Sequence, residues 1–189
     1  MTKQQLRKTY LEKRQSLSEA EYGQLNFQLY QNFFSSIDLS FVKVMHVFLA
    51  ITSKKEVDTW LIIDRIRREF PHIRISIPKV NPAKNELENF FFEGLHQLKT
   101  NGWGIQEPSQ GIPTETEKID FVLVPLLVFD KQGYRIGYGK GYYDEFLSRC
   151  KPSTKKVGIS LFPPLDSIPT EAHDVRMDRC VTPQGVFEF

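Results

Sequence analysis

The sequence contains little cysteine, and its histidines show no ligand spacing. Among 189 residues there are two cysteines, Cys150 and Cys180, and four scattered histidines. They form no CxxC pair and no cysteine–histidine cluster, which excludes a zinc-finger site and the disulfide framework of a small secreted protein. We therefore expect two free thiols in a reducing compartment and no zinc.

Long apolar runs and an excess of one charge are also missing. No stretch approaches the ~20 apolar residues that a membrane-spanning helix requires, and residues 1–14 are too polar and basic for a signal peptide. The net charge is only +2, unlike that of a strongly basic nucleic-acid binder. We expect a cytoplasmic monomer with no membrane or nucleic-acid partner, formed by one domain over residues 1–189.

The hydrophobic pattern predicts alternating helices and strands. Helical periodicity predicts helices at 2–15, 19–34, 56–69 and 139–149. Short apolar runs predict strands at 42–51, 73–77, 87–93, 121–124 and 156–161, the last of these being the final strand. Residues 99–112 are expected to form a loop. The alternation predicts a three-layer, Rossmann-like α/β fold, in which an open and mostly parallel sheet carries helices on both faces.

Residues 133–141, here called the glycine-rich segment, follow a buried strand and precede a helix. Four glycines in this segment allow a ligand to approach backbone amides, and the helix amino terminus favours an anion. Arg135 and Lys140 add positive charge. The segment is not GxGxxG, because Tyr142 occupies the third glycine position, and it is not a Walker A loop, because Gly141 follows Lys140. From the glycines alone, a flexible turn remains an equal alternative.

A longer comparison of motifs favours one family. The string RIGYGKGYYDEFL at 135–147 resembles the signature RxGxGxGYYD of the 5-formyltetrahydrofolate cyclo-ligases. Four other strings resemble family segments in the same order: KQQLRKTYLEKRQSLS at 3–18, SKKEVDTWLII at 53–63, NGWGIQEP at 101–108 and AHDVRMDRCVTPQG at 172–185. The resemblance implies an open α/β fold and conversion of 5-formyltetrahydrofolate to 5,10-methenyltetrahydrofolate, with ATP as co-substrate and Mg²⁺ as cofactor.

The resemblance also implies roles for individual residues. Those implied to bind ATP are Lys3, Gln4, Gln5, Leu6, Arg7, Arg135, Ile136, Gly137, Tyr138, Gly139, Lys140, Gly141, Tyr142 and Tyr143. Those implied to bind the folate are Leu49, Glu56, Trp103, Tyr138, Gly139, Lys140, Gly141 and Tyr142. Lys140 and Arg135 are the implied catalytic residues. Asp144 and Asp174 are the implied Mg²⁺ ligands, with Asp178 as a weaker candidate.

Several of these residues also have purely structural interpretations. Lys3 and Arg7 lie four apart on one helical face and would suit a solvated basic helix, and Arg14 is interpreted as a surface charge. Glu56 would suit a helix amino terminus, where the dipole favours a carboxylate. Trp103 would suit a lid residue packed on the core and Asp174 an exposed carboxylate, while at least one of the adjacent pair Tyr142 and Tyr143 is expected in the core.

Two other classes of protein remain possible at this point. One is a different enzyme of similar architecture, such as a sugar-phosphate isomerase or a CoA-transferase-like protein, using the glycine-rich segment for another phosphate. It would not need the basic residues of the first helix. The other is a nucleotide- or RNA-binding module without catalysis, which the small net charge disfavours.

Overall fold

The computed structural model describes residues 1–102 and 104–189. Its α-helices are α1 (Lys3–Ser16), α2 (Glu19–Ser36), α3 (Thr59–Glu69) and α4 (Tyr142–Arg149). Within the described residues, no helix has both the length and the apolar character that crossing a bilayer would demand.

Side-chain caps explain where the first three helices begin. Thr2 and Gln5 form a capping box at α1, and Ser18 and Glu21 form another at α2. The carboxylate of Asp58 accepts from the backbone N–H of Trp60 at the start of α3. Helix α3 therefore begins three residues later than predicted, and Glu56 lies before it.

The strands follow the predicted alternation, with several additions. They are β1 (Val44–His46), β2 (Arg74–Asn81), β3 (Glu86–Phe91), β4 (Leu98–Thr100), β5 (Gln106–Pro108), β6 (Phe121–Val124), β7 (Val128–Phe129), β8 (Arg135–Ile136), β9 (Lys155–Ile159), β10 (Arg179–Thr182) and β11 (Gly185–Glu188). Within the described residues, seven of them form the central sheet in the order β11-β10-β9-β6-β1-β2-β3. The interior pairs are parallel, and β2–β3 and β10–β11 at the two edges are antiparallel.

Helices cover both faces of this sheet, which confirms the predicted three-layer α/β fold. Because neighbouring residues of a strand point to opposite faces, Leu123 packs with α2 and α3 on one side, whereas Val122 packs with α4 on the other. Helix α1 lies against the β7–β8 hairpin, where Leu6 and Tyr10 pack on Val128.

Five other local predictions were wrong. The strand predicted at 42–51 is only three residues long, and the strand predicted to end before Pro78 continues through it by pairing with β3. The predicted loop at 99–112 contains the carboxyl end of β4 and all of β5. Strands β10 and β11 follow what was predicted to be the final strand. Helix α4 begins at Tyr142, not at 139, because Gly139 and Gly141 adopt positive φ angles of 89° and 74°.

The sheet order places a cleft between β1 and β6. From β1 the chain crosses to β2 on one side, and it later returns to β6 on the other, so the strand order reverses at this point. In open α/β sheets, ligands collect at the carboxyl ends of strands where the order reverses. Leu49 and Glu56 follow β1, and the β7–β8 hairpin with the glycine-rich segment follows β6.

Candidate active site

The amino-terminal turn of α1 forms one wall of an open cleft. Lys3, Gln4 and Arg7 line a cavity of about 720 Å³ together with Gly139 and residues 169–171. The Nε of Arg7 donates to the carbonyl of Gly137 at 3.0 Å. Because Gly139 has a positive φ and a Cβ there would lie 2.8 Å from Cζ of Arg7, only glycine permits this approach. The basic helix face and the glycine-rich segment are therefore in contact.

Two other residues of α1 that were predicted to bind ATP have side chains that make other contacts. Leu6 is buried in the cluster with Tyr10 and Ile136, so its side chain faces away from the cleft. The side chain of Gln5 accepts from the backbone N–H of Thr2 and caps the helix. Ile136 is likewise buried, so any ligand contact from Leu6 or Ile136 would come from the backbone.

Helix α4 begins three residues after Gly139, which lines this cavity. Gly141 is the N-cap and provides no side-chain capping bond, so the first N–H groups of the helix are available to an anion. Lys140 is exposed, and among the described residues its ammonium group has no hydrogen-bond or ion-pair partner. A mobile cation beside free helical N–H groups is an arrangement suited to phosphate.

Acidic residues and Arg135 form a network that reaches this cavity through Lys3 and Glu171. The Oδ1 atom of Asp144 accepts from Nη2 of Arg135 at 3.0 Å and from the N–H of Val175 at 2.9 Å, while Nη1 of Arg135 donates to the carbonyl of Val175. Lys3 Nζ lies 2.7 Å from Oδ2 of Asp174 and 2.9 Å from Oε2 of Glu171. These bonds bring the predicted metal ligands Asp144 and Asp174 to neighbouring positions, although they are 30 residues apart in sequence.

The donor set of these two aspartates fits a magnesium ion. In the part of the chain that the structure describes, Oδ2 of Asp144 and Oδ1 of Asp174 have no protein hydrogen-bond partner. Burial acts to raise the pKa of Asp174, but its bonds to Lys3 and Glu171 dominate and lower it, so it is ionised at neutral pH. Two carboxylate oxygens supplemented by phosphate and water match what Mg²⁺ prefers. Asp178 instead accepts from the N–H of Lys156.

A second group of polar residues, linked to the glycine-rich segment through Tyr138, is centred on a buried carboxylate. Glu56 is 4% exposed, and it accepts from the N–H of Ile51 at 2.6 Å and from the hydroxyl of Tyr138 at 2.7 Å. Burial raises its pKa, although the bonds from Ile51 and Tyr138 and the charge of Arg14 oppose that shift. Because Asp58 is the cap of α3, the interpretation of Glu56 as a helix-terminal carboxylate is excluded. Leu49 is also buried, on the chain segment that leads from β1 to this site.

The two adjacent tyrosines at the start of α4 point in different directions, as predicted. The hydroxyl of Tyr143 is 3.0 Å from Nε2 of His46, and its ring packs on Phe146. Burial lowers the pKa of His46 to about 3, so this histidine is neutral at physiological pH. Tyr143 is therefore a half-buried aromatic residue that packs against the core, whereas its predicted contact with ATP stays a prediction.

Arg14 was wrongly interpreted as a surface charge. It is 4% exposed, and its Nη2 lies 2.6 Å from the hydroxyl of Tyr138. Glu171, beside Lys3, was not predicted either; only its short spacing from Asp174 offered a signal. The predicted folate contact Trp103 lies outside the described residues.

Together these features are those of an α/β enzyme with a cleft that is suited to anions. The model of the 5-formyltetrahydrofolate cyclo-ligase family matches residues 1–183, and the chain belongs to this family of ligases.

Its relatives agree with that assignment. A probable 5-formyltetrahydrofolate cyclo-ligase of Schizosaccharomyces pombe is 34% identical over 149 residues, which cover 70% of this chain and 72% of the relative. The solution structure of the 5,10-methenyltetrahydrofolate synthetase of Aquifex aeolicus matches with a TM-score of 0.84 at 34% identity, over 100% of this chain and 93% of that one. The structure of the Mycoplasma pneumoniae synthetase matches with a TM-score of 0.77 at 27% identity, over 97% and 99%.

Proposed function

We propose that this enzyme converts 5-formyltetrahydrofolate to 5,10-methenyltetrahydrofolate while ATP is converted to ADP and phosphate. The observation that carries the proposal is the 2.7 Å bond between Tyr138 and Glu56. It joins the glycine-rich segment, which suits a nucleotide phosphate, to a buried carboxylate, which suits the N–H and NH₂ groups of a pterin edge. One cleft therefore offers neighbouring groups for both substrates.

The ATP phosphates are proposed to lie between α1 and α4. Lys3, Gln4 and Arg7 supply donors from one side, and the backbone of residues 137–143 supplies N–H groups from the other. The exposed Lys140 is proposed as the catalytic cation that contacts the transferred phosphoryl group. Arg135 has both terminal nitrogens engaged by Asp144 and Val175, so we propose a positioning role for it instead of the catalytic role predicted from its motif.

The folate is proposed to bind beside Glu56 and Leu49, with Tyr138, Tyr142 and the glycine backbone at 139–141 bordering it. A carboxylate offers about four lone-pair sites, and protein donors occupy two of those of Glu56. The remaining sites are suited to donors of the pterin ring. Trp103 remains a predicted stacking partner.

The proposed chemistry has two steps. The formyl oxygen attacks the γ-phosphorus of ATP, the bond to the β–γ bridging oxygen breaks, and ADP leaves. N10 then attacks the formyl carbon and loses its proton, and the C–O bond breaks to release phosphate with its electron pair. Such phosphoryl transfer depends mainly on positioning and on stabilisation of charge.

Asp144 and Asp174 are the residues proposed to hold Mg²⁺. When bound, the ion would neutralise negative charge on the phosphates. Lys3 is hydrogen-bonded to Asp174, and although burial alone would lower its pKa, these bonds raise it. Lys3 therefore stays protonated, and its ammonium group is placed to exchange a carboxylate partner for a phosphate oxygen.

The test is formation of the methenyl product, followed by its absorbance, in mixtures of 5-formyltetrahydrofolate, ATP and Mg²⁺. We expect one ADP per product molecule and no product when ATP is replaced by a non-hydrolysable analogue. Product formation without ATP, or ADP release without product, would contradict the proposal.

We also propose that residues 1–189 form one domain and that the enzyme is a cytoplasmic monomer acting on small molecules alone. Light scattering coupled to size-exclusion chromatography tests the oligomeric state. A mass of one chain, 22.0 kDa, is expected at micromolar concentration.

A further inference from the structure

The guanidinium of Arg14 is buried, and no carboxylate of the described residues contacts it directly. Its side chain is 4% exposed, its Nη2 donates to the hydroxyl of Tyr138, and its Nε has no partner among the described residues. Burying an incompletely paired cation is unfavourable for folding. A purely structural role would be filled more favourably by an apolar side chain, so this position calls for another explanation.

Arg14 is the first member of a chain of hydrogen bonds that ends at Glu56. Tyr138 accepts from Arg14 at 2.6 Å and donates to Oε1 of Glu56 at 2.7 Å, while Oε2 of Glu56 accepts from the N–H of Ile51. A guanidinium can only donate. The hydroxyl proton of Tyr138 is therefore directed away from Arg14 and toward Glu56, where Oε1 accepts it.

We propose that Arg14 is a positioning residue for folate recognition, acting on Glu56 through the hydroxyl of Tyr138. It fixes the direction of the Tyr138 hydroxyl bond, and with it the carboxylate oxygens that remain available to the pterin. The inference rests on the proposed function, because it takes Glu56 as the folate contact.

The charges around Glu56 are consistent with this role. Burial raises the pKa of Glu56, and the bonds from Ile51 and Tyr138 and the charges of Arg14 and Lys54 act against that shift. The titratable or charged groups that face Glu56 are Arg14, Tyr22, Lys54, Tyr138 and Tyr143. Of the two cations, Lys54 is exposed to solvent, so Arg14 is the one that water screens less.

The test compares Arg14→Met, Arg14→Lys and the matched control Lys13→Met. Lys13 is a neighbouring cation on α1, but it is exposed and lies over the ring of Tyr10. We expect Arg14→Met to raise the KM for 5-formyltetrahydrofolate about tenfold, with the KM for ATP changed less than about twofold. Arg14→Lys should recover part of the loss, and Lys13→Met should match the wild type.

A second variant shows whether Tyr138 transmits the effect. In a Tyr138→Phe background the link is absent, so adding Arg14→Met should change the folate KM by less than about twofold. An undiminished tenfold effect in that background, or equal losses toward both substrates, would overturn the inference.

A measurement without substrate separates this inference from the proposed function. Carbon-13 NMR titration of the Glu56 carboxyl should show a higher pKa in Arg14→Met than in the wild type and a smaller rise in Arg14→Lys. An unchanged pKa overturns the positioning role even in an active enzyme. If the wild type forms no methenyl product, the proposed function fails, and the role of Arg14 in folate recognition fails with it, whereas a raised pKa would still establish the link to Glu56.

Discussion

The phosphate side of the cleft and the side around Glu56 differ in how their charged groups are satisfied. Lys3 and Asp174 are partly exposed and form ion pairs at the edge of an open cavity. Glu56 and Arg14 are both 4% exposed and are connected through Tyr138. The phosphate side borders an open cavity, so a ligand can reach Lys3 and replace one of its carboxylate partners. The Glu56 side has its geometry set before any ligand arrives, which favours recognition of one ring edge.

The strongest way to break this comparison is to remove a carboxylate on which the phosphate side depends. We expect Asp144→Ala to lower kcat by more than about 100-fold and to cost about 3 kcal/mol of stability, because it leaves the buried Arg135 without its carboxylate. Activity assays across a Mg²⁺ series and thermal melts measure the two effects.

Glu145→Gln provides the control, because Glu145 pairs with Arg149 on the exposed face of the same helix. Its melting temperature and kcat should stay close to those of the wild type. An Asp144→Ala enzyme with normal kcat and normal Mg²⁺ dependence would remove Asp144 from the site.

The Glu56 side is tested alone by Glu56→Gln. The amide keeps the size but loses the charge and one accepting oxygen, so we expect the KM for 5-formyltetrahydrofolate to rise ten- to a hundredfold, equivalent to ~1.5–3 kcal/mol. The KM for ATP should stay within about twofold. Steady-state kinetics with each substrate varied in turn makes the measurement, and a parallel loss for ATP would show that the two sides are not separable.

The phosphate side is tested by Lys3→Ala and Arg7→Ala. Each removes a cation from the cleft wall, so we expect the KM for ATP to rise about tenfold with a smaller effect on folate. Lys8→Ala is the matched control. The side chain of Lys8 is 80% exposed, and its Nζ forms only a weak pair with Oε1 of Glu12, at 4.0 Å. Equal effects of all three substitutions would indicate general electrostatics instead of contact.

The smallest expected effect is that of pH. Because burial raises the pKa of Glu56 above 4.5, kcat/KM for folate should fall as the pH drops through that raised value and Glu56 becomes protonated. The contribution of Glu56 to the free energy of unfolding changes with pH in the opposite direction. Because the folded state binds the proton more tightly than the unfolded state, this contribution decreases as the pH rises from 4.5 through the raised pKa. A pH series of kcat/KM and of melting temperature checks both, and Glu56→Gln should flatten both profiles in that range.

What the sequence predicted well depends on local chemistry. The capping box at Ser18 and Glu21 and the apolar strand at 121–124 need only neighbouring residues, and both are confirmed. The predicted start of α4 was wrong because Gly139 and Gly141, in the loop before the helix, adopt positive φ angles. A helical sequence pattern does not reveal such angles. Strands β10 and β11 were missed because they are short and lie in a segment rich in proline and polar residues.

Within the site, motifs predicted which residues lie near the cleft but not how they are paired. Lys3 and Arg7 share a helical face by spacing alone, and the structure brings that face to the glycine-rich segment. The burial of Arg14 depends on Tyr138, which is 124 residues away, and no local pattern carries that information. Arg135 is paired with Asp144, so its positive charge is not unpaired as the motif had suggested.

The bond between Lys3 and Asp174 can form only late in the translation of the chain. These partners are separated by 171 positions, so a chain emerging from the ribosome at about 5–20 residues per second waits roughly 10–30 s between the synthesis of one and of the other. During that interval α1 carries its basic residues without their acidic partners. A nascent or interrupted chain therefore has one wall of the cleft and lacks the other, so we expect the proposed nucleotide site to form only after nearly the whole sequence has been translated.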